Sequence, residues 1–431
     1  MASGPLVGVR VLDFTHIVSG PYGGAHLADF GADVIKVEPP GGDPFRNLGA
    51  ATPGGSKQFQ SLNRGKRSIA LNLKDERARQ IIHRMIPQID VVLVNYRADV
   101  AKRLSVDYET LRAIRPDIIY LQNTGFGNRG PRALTAASDL VIQAYGGLMA
   151  QEGKVTDTGA PGIITSVAIT DYVTGVVIAM GVCMALYHRQ RTGQGQILHT
   201  SLFQSSLSIQ HGFIMREPVA DAMLRDPLME DVEGLRAAQA GYAEILAKYH
   251  QRRRAGSAFS LYYTGYQCRD GGIVFGALTR ANRDVIRKVI GITVDQSDTP
   301  DFNPLDPASQ QQVEAWRAEI QRIMLTRSVA EWMADFEAAE ATVSPVQFPE
   351  EMADDPQTAA LGMMVELEHE LTGYQRMVGP VMEMSATPPR VQGAAPLPGS
   401  HTDEILAQFG YAPDEIAALV ADGVALRPFD S

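Results

Sequence analysis

The most reactive-looking group in this chain is an acid at the head of a greasy segment. Asp171 follows Ser166-Val167-Ala168-Ile169-Thr170 and precedes the apolar stretch Val173–Tyr187. An aspartate at a helix start reads in two ways. It can be a plain cap, its oxygen taking a free backbone N–H. It can also be a nucleophile, because the helix N–H groups and dipole favour the charged carboxylate. A carboxylate can attack an acyl carbonyl and form a mixed anhydride. A second feature is cationic. Asn63-Arg64-Gly65-Lys66-Arg67-Ser68 precedes a strand ending at Leu71-Asn72-Leu73-Lys74. Asn95, Tyr96 and Arg97 follow the next strand, and Arg103 lies two helical turns further on. Together these suit a phosphorylated ligand, although the spacing alone equally fits a solvated charged face. His16, after the first strand, reads either as a site residue or as a hydrogen-bonded structural histidine.

Several other chemistries are disfavoured. Glu38 ends the second strand, where an acid often holds a ribose hydroxyl. The preceding turn, however, is Ser19-Gly20-Pro21-Tyr22-Gly23-Gly24, not G-x-G-x-x-G. Pro21 also removes an N–H that a pyrophosphate would use. There is no G-x-x-x-x-G-K-[ST], no H-E-x-x-H, no C-x-x-C and no G-x-S-x-G. Neither a nicotinamide nor a metal is expected. Cys183 and Cys268 are too few and too far apart for a zinc site or a disulfide framework, which fits a reducing, cytoplasmic setting.

The elements that must position these groups alternate regularly. VRVLDF, ADVIKVE, RSIALNL, DVVLVNY and DIIYLQNTGFG read as buried strands. KDERARQIIHRMIPQI and VAKRLSVDYETLRAIRP read as helices between them. Continuous apolar strands separated by helices argue for an α/β fold with a Rossmann-like parallel sheet covered on both faces. After a Gly/Pro/Ala-rich loop near Pro131–Thr135, a long helix is expected from about Asp171 to Gln190, too short in its apolar part to span a bilayer and therefore buried. ILHTSLFQSSLSIQ reads as a strand leading into a helix. The expected division is a large domain over 1–214, a smaller α+β domain over 215–330, and a linker and return over 331–431. Tyr262, Tyr263 and Tyr266 read either as packing residues or as an acyl pocket. Arg252, Arg253 and Arg254 read as a solvated run or as a dicarboxylate contact.

The chain is 431 residues long, with 39 Lys+Arg against 49 Asp+Glu and a formal net charge of -10. Such a balance offers no global attraction to nucleic acid or to an anionic membrane, so an anionic ligand needs a local cation cluster. Neither a membrane nor an export signal is expected from the N-terminal stretch.

The segments VRVLDFTHIVSGPYGG, LADFGADVIKVEPPGGDPFR, LNRGKRSIALNLK, VLVNYRADVAKRL, TGFGNRGP, ITDYVTGVVIAMGVCMALYHRQRTGQGQ, SPVQFPEEMADDPQ and HTDEILAQFGY resemble a class III coenzyme A transferase. That family includes formyl-CoA transferase, carnitine CoA-transferase and the α-methylacyl-CoA racemases. The segments occur in the family's order over nearly the whole chain. The resemblance implies a large domain built from both chain ends and two subunits interlocked like chain links. It implies no permanently bound cofactor, with coenzyme A and acyl-CoA as substrates and a carboxylic acid as the acceptor. It places Asp171 as the nucleophile. It places Val18, Ser19, Leu71, Asn72, Leu73, Lys74, Asn95, Tyr96, Arg97, Arg103 and Thr135, Ala136, Ala137, Ser138 along coenzyme A, with Asp139 an acid close to the nucleophile. Arg64, Lys66 and Arg67 are phosphate neighbours on charge alone. Val18 stands where formyl-CoA transferase has glutamine, and Ala255–Ser260 lacks that enzyme's glycine run, which speaks against formate or oxalate. Ser138 replaces the racemases' histidine, which speaks against racemisation, because proton abstraction needs a base.

Overall fold

The computed structural model describes residues 4–50, 54–254, 259–292, 295, 297–299, 301–303 and 306–428. The chain divides into two compact units. The larger comprises Met1–Lys154, Ile163–Met215 and Ala353–Ser431, and the smaller Val155–Gly162 and Arg216–Met352.

In the larger unit, β1 (Arg10–Asp13), β2 (Asp33–Glu38), β3 (Arg67–Leu71), β4 (Val91–Val94), β5 (Ile119–Thr124) and β6 (Gln196–Ser201) form a parallel sheet in the order 3-2-1-4-5-6. This is the doubly wound order, in which the chain reverses direction across the sheet between β1 and β4. The apolar strands are continuous because both sheet faces are covered. Successive side chains point to opposite faces. Leu12, Ile35, Ile69 and Val92 therefore pack on one side with Ala78, Ile81 and Ile82, while Val11, Val34, Val91 and Ile119 pack on the other with Leu27, Ala28, Ile178 and Val182. The intervening helices are α1 (Ser19–Asp29), α2 (Lys57–Asn63), α3 (Glu76–Met85), α4 (Ala98–Arg103), α5 (Tyr108–Ile114), α6 (Asp139–Tyr145), α7 (Leu148–Glu152), α8 (Ile169–Thr192) and α9 (Leu202–Ser208).

The C-terminal stretch returns to this sheet. Ile405, Leu406, Phe409 and Ile416 join its core, and Ala425–Leu426 adds a short antiparallel strand to β3. A hairpin of Met364–His369 with Gly373–Val378 has no counterpart in the sequence reading. The smaller unit has a three-stranded antiparallel sheet of β7 (Tyr263–Gln267), β8 (Gly272–Gly276) and β9 (Val343–Pro345). It continues past residue 330, where the sequence suggested its end, because β9 pairs with β8 and Trp332 and Phe336 are buried in its core.

The expectation for α8 is corrected. The helix has 24 residues, and only 33% of its most apolar window is buried. Its inner side carries Thr170, Asp171, Thr174 and Ile178 into the unit. Val176, Met180, Met184 and Tyr187 stay exposed in the single chain. By length and composition alone it would suffice to cross a membrane, but its inner side packs into the folded unit.

Glycines let α1 and α8 approach closely at their first turns. A Cβ on Gly175 would stand 2.7 Å from Tyr22 Cδ1 and 2.9 Å from the Ser19 carbonyl oxygen, and one on Gly23 would stand 2.6 Å from Ile178 Cγ2. Replacing Gly175 by alanine gains about 1 kcal/mol of helix propensity. The clashes are with the Tyr22 ring and with the Ser19 main chain, which cannot step aside, and overpacking costs about 1–3 kcal/mol. Gly175→Ala is therefore expected to lower the melting temperature despite the better helix former; calorimetry showing an unchanged or raised value would contradict this packing account.

Candidate active site

In a doubly wound sheet, ligands bind outside the strand C-termini where the order reverses. Here the order reverses between β1 and β4, so the turns after these two strands mark that position. Asn95 clamps the first turn from the second, accepting from the His16 N–H at 3.1 Å and donating from Nδ2 to the His16 carbonyl at 2.9 Å. The next residue, Ile17, has φ of +72°. A β-branched side chain rarely adopts that conformation, which costs about 1–3 kcal/mol. The strain turns the chain so that Val18 and Ser19 open α1 at the crevice.

A buried ionic layer holds the turn from below. Lys36 Nζ donates to Asp43 at 2.9 Å and to the Thr15 carbonyl at 2.8 Å; Lys66 Nζ donates to Asp13 at 2.9 Å and to the Pro21 carbonyl at 2.8 Å. Arg46 grips Glu38 at 2.6 and 2.7 Å. Burial pushes Asp13 toward its neutral form, but Lys66 and Lys36 outweigh it and leave its pKa below the usual carboxylate range. Burial likewise draws Lys66 down to about 8, against the pull of Asp13.

These pairs correct the view of the basic segment as phosphate neighbours. Lys66 is buried on Asp13, Arg64 is buried on Asp29 at 2.5 Å, and Arg67 pairs with Asp33 at 2.7 Å. The charge of Lys66 and Arg64 is spent inside the protein, and that of Arg67 on carboxylates at its edge. Glu38 is fully buried on Arg46 and cannot meet a ribose.

Asp171 lies in the first turn of α8, only 8% exposed, facing Ser19 at the start of α1. The helix has no side-chain cap of its own, since Ala168 occupies the cap position. Asp139, at the start of α6, supplies one from outside. Its Oδ1 accepts from the Thr170 N–H at 2.8 Å, the Thr170 hydroxyl at 2.5 Å and the Asp171 N–H at 3.3 Å, while Gln143 Nε2 donates to its other oxygen. Asp171 is thereby relieved of capping, the plainer of its two roles. Burial pushes its pKa up to about 6, helped by the charge of Asp139; Ser19, through its hydroxyl and its main-chain N–H, pulls the other way. Near pH 7 the group is mostly ionised, yet only weakly stabilised as an anion.

The other expected residues are distributed around the same strand ends. Val18 and Ser19 are buried at the turn, and Asn95 and Tyr96 are half-buried, the Tyr96 hydroxyl lying 3.2 Å from His16 Nε2. Lys74, Arg97 and Arg103 are exposed, as are Thr135, Ala136 and Ser138, with Asn72, Leu73 and Ala137 half-buried. Leu71 is fully buried, so its side chain belongs to the core and cannot touch a ligand. In the smaller unit Tyr262 and Tyr266 are buried in the core, which settles them as packing residues, while Tyr263 is exposed. The side chains of Arg252, Arg253 and Arg254 and the stretch 255–258 lie outside the described residues. Among the described residues no group of three or more His, Cys, Asp or Glu side chains stands ready to hold a metal ion. Sequence reading missed Gln143 and Thr170, which bond Asp139, and Asn123, which bonds Ser19. Asn123 carried one signal, the polar run Gln122-Asn123-Thr124 that ends an apolar strand.

The CoA-transferase family III profile matches residues 6–402. The chain belongs to this family of enzymes. It is 41% identical over 213 residues to an acetyl-CoA:oxalate CoA-transferase of Acetobacter aceti, a match covering 49% of this chain and 54% of that one. It is 29% identical to a succinyl-CoA:mesaconate CoA-transferase of Haloarcula marismortui, over 94% of this chain and 97% of that one. It is 30% identical to a formyl-CoA:oxalate CoA-transferase of Escherichia coli O157:H7, over 97% and 98%. Among solved structures, a mutant of Rv3272 from Mycobacterium tuberculosis superposes with a TM-score of 0.73 at 25% identity, covering 94% of this chain and 99% of that one. A CAIB/BAIF family protein from Brucella suis does so with the same score and identity, covering 94% and 100%.

The raised pKa of Asp171 has a stability consequence with a definite sign. The folded state holds this proton more tightly than the unfolded chain does. Stability therefore falls as pH rises from about 4 to about 6 and stays lower above. Asp171→Asn is expected to stabilise the protein by about 1–3 kcal/mol at pH 7.5 and by nothing at pH 4; paired thermal melts at the two values check it.

Proposed function

We propose that this enzyme moves CoA from an acyl-CoA thioester to a carboxylic acid through covalent intermediates on Asp171. The observation that carries the reading is a buried carboxylate, free of capping duty, in the first turn of a helix and facing the start of α1 after β1. The Asp171 carboxylate attacks the thioester carbonyl; a C–O bond forms, the C–S bond breaks and CoA thiolate leaves. The thiolate then attacks the aspartyl carbonyl, releasing the donor acid as its carboxylate and leaving an aspartyl-CoA thioester. The acceptor carboxylate attacks that carbonyl, again freeing CoA thiolate, which finally attacks the acceptor's acyl carbon and regenerates Asp171. Each step exchanges acyl derivatives of similar energy, so no nucleotide is consumed.

In this reading Lys74, Arg97 and Arg103 meet the phosphates of coenzyme A. They are exposed cations, Lys74 and Arg97 just after strand C-termini and Arg103 at the end of α4, outside the buried pairing that absorbs Lys66 and Arg64. Val18, Ser19, Asn95, Tyr96 and Thr135–Ser138 line the path of the pantetheine toward Asp171. The relatives' names point to short dicarboxylates, oxalate and mesaconate among them, as the acids exchanged. Val18 in place of glutamine weighs against oxalate, so the acceptor panel must contain oxalate, formate, mesaconate and succinate. The bare apolar side of α8 supports a second copy of the chain as its cover, in keeping with an interlocked homodimer.

Asp171→Ala is expected to cut turnover by roughly three orders of magnitude or more. Mass spectrometry of the wild-type enzyme incubated with acyl-CoA is expected to find an acyl or CoA adduct on the Asp171 peptide; full turnover in the variant would dismiss the mechanism. Because the nucleophile must be ionised, kcat/KM should decline as pH drops through about 6, tenfold per unit below it. Met184→Glu is expected to weaken self-association, read by light scattering; an unchanged mass would exclude this helix face from the dimer contact.

A further inference from the structure

The turn that faces Asp171 is keyed from behind by a residue with no part in the reaction so far. Asn123 lies near the end of β5, 2% exposed, and its Nδ2 donates to Ser19 Oγ at 2.9 Å. Ser19 is itself 4% exposed, in the first turn of α1 against Asp171. A hydroxyl has one proton and two lone pairs. When an amide N–H occupies a lone pair, the proton must go elsewhere, and the charged acceptor beside Ser19 is Asp171. In the opposite amide orientation Ser19 would donate to Asn123, and the buried carboxylate would lose its side-chain donor Ser19. Hydrogen bonds to charged acceptors are about twice as strong as neutral ones, so the charge on Asp171 selects the orientation seen, even though it leaves Asn123 Oδ1 buried without a partner.

We propose that Asn123 is a positioning residue: by donating to Ser19 Oγ it commits the Ser19 hydroxyl proton to Asp171 and keeps that carboxylate ionised in a site that disfavours charge. The titratable groups bearing on Asp171 are Asp139 from α6 and Tyr172 beside it, whose ring packs edge-on against Tyr22 of α1. Asp139 opposes the charge, and burial holds both tyrosines neutral. Ser19 is the group that favours it, so its orientation carries weight. The kinetic side of this inference rests on Asp171 being the nucleophile; the electrostatic side does not.

The test uses Ser19→Ala, Asn123→Ala, Asn123→Val and the Ser19→Ala/Asn123→Ala double variant, each first checked for folding by circular dichroism. The Asp171 carboxyl is titrated by infrared difference spectroscopy against Asp171→Asn, a readout independent of turnover. In Ser19→Ala the midpoint is expected to rise by about one pH unit, tenfold in proton affinity. Each Asn123 variant should raise it in the same direction, and the double variant should go no further than Ser19→Ala. In kinetics, kcat/KM should be about fivefold lower than wild type at pH 6, the deficit shrinking above pH 8. A tether with a purely structural role would lower activity equally at all pH. Unmoved midpoints in the Asn123 variants, or shifts that add in the double variant, would overturn the relay. Should neither Asn123 variant fold, the Ser19→Ala midpoint decides, and no shift there overturns it. A shifted midpoint in an enzyme indifferent to Asp171→Ala would keep the relay and reject the nucleophile.

Discussion

A single buried negative charge governs the design of the larger unit. Asp171 is held away from water with a second carboxylate beside it, an arrangement that opposes ionisation. The surroundings make the charge tolerable without neutralising it by a cation. Asp139 satisfies the first-turn N–H groups of α8, so Asp171 is not bound to its own helix. Ser19 offers its hydroxyl and N–H from α1. The two helices come close enough for this only because Gly23 and Gly175 lack side chains at their crossing.

Beneath the turn, cations and carboxylates are used as scaffold. Asp13, Lys66, Lys36, Asp43, Glu38 and Arg46 form a layer in which each charge has a partner, and the removal of one partner from such a buried pair costs about 3–5 kcal/mol. The same layer lets a strained Ile17 persist, because Asn95 holds the main chain of His16 before it and Asp43 accepts from the N–H of Ile17 itself. The rigidity of the turn is then transmitted to Ser19 and to the mouth of the crevice. Lys74, Arg97 and Arg103 lie outside this layer, exposed at the surface.

Much of the fold was legible because its signals are local. Apolar runs of strand length, separated by helical periodicity, describe a covered parallel sheet wherever they occur, and the glycine after Thr192 marks the end of α8. The hairpin at 364–378 was not legible, since its strands alternate on an exposed surface and carry no continuous apolar run. The reach of the smaller unit past residue 330 was missed for a similar reason: β9 has three residues and is a strand only because β8 is there to pair with it.

For the site, the chain's own residues determined the candidate nucleophile, the head of the long helix and the family's motifs, because each is written in neighbouring positions. Tertiary structure decided which charges remain free. Arg64, Lys66 and Arg67 look alike in sequence to a phosphate cluster, yet their partners Asp29, Asp13 and Asp33 lie tens of residues away and only the folded sheet brings them together. It also decided that Asp139 rather than Asp171 does the capping, and that Asn123 stands behind Ser19. The reason is one of range: a side chain's type and local periodicity are encoded beside it, whereas its charge state depends on desolvation and on partners set by the packing of distant elements.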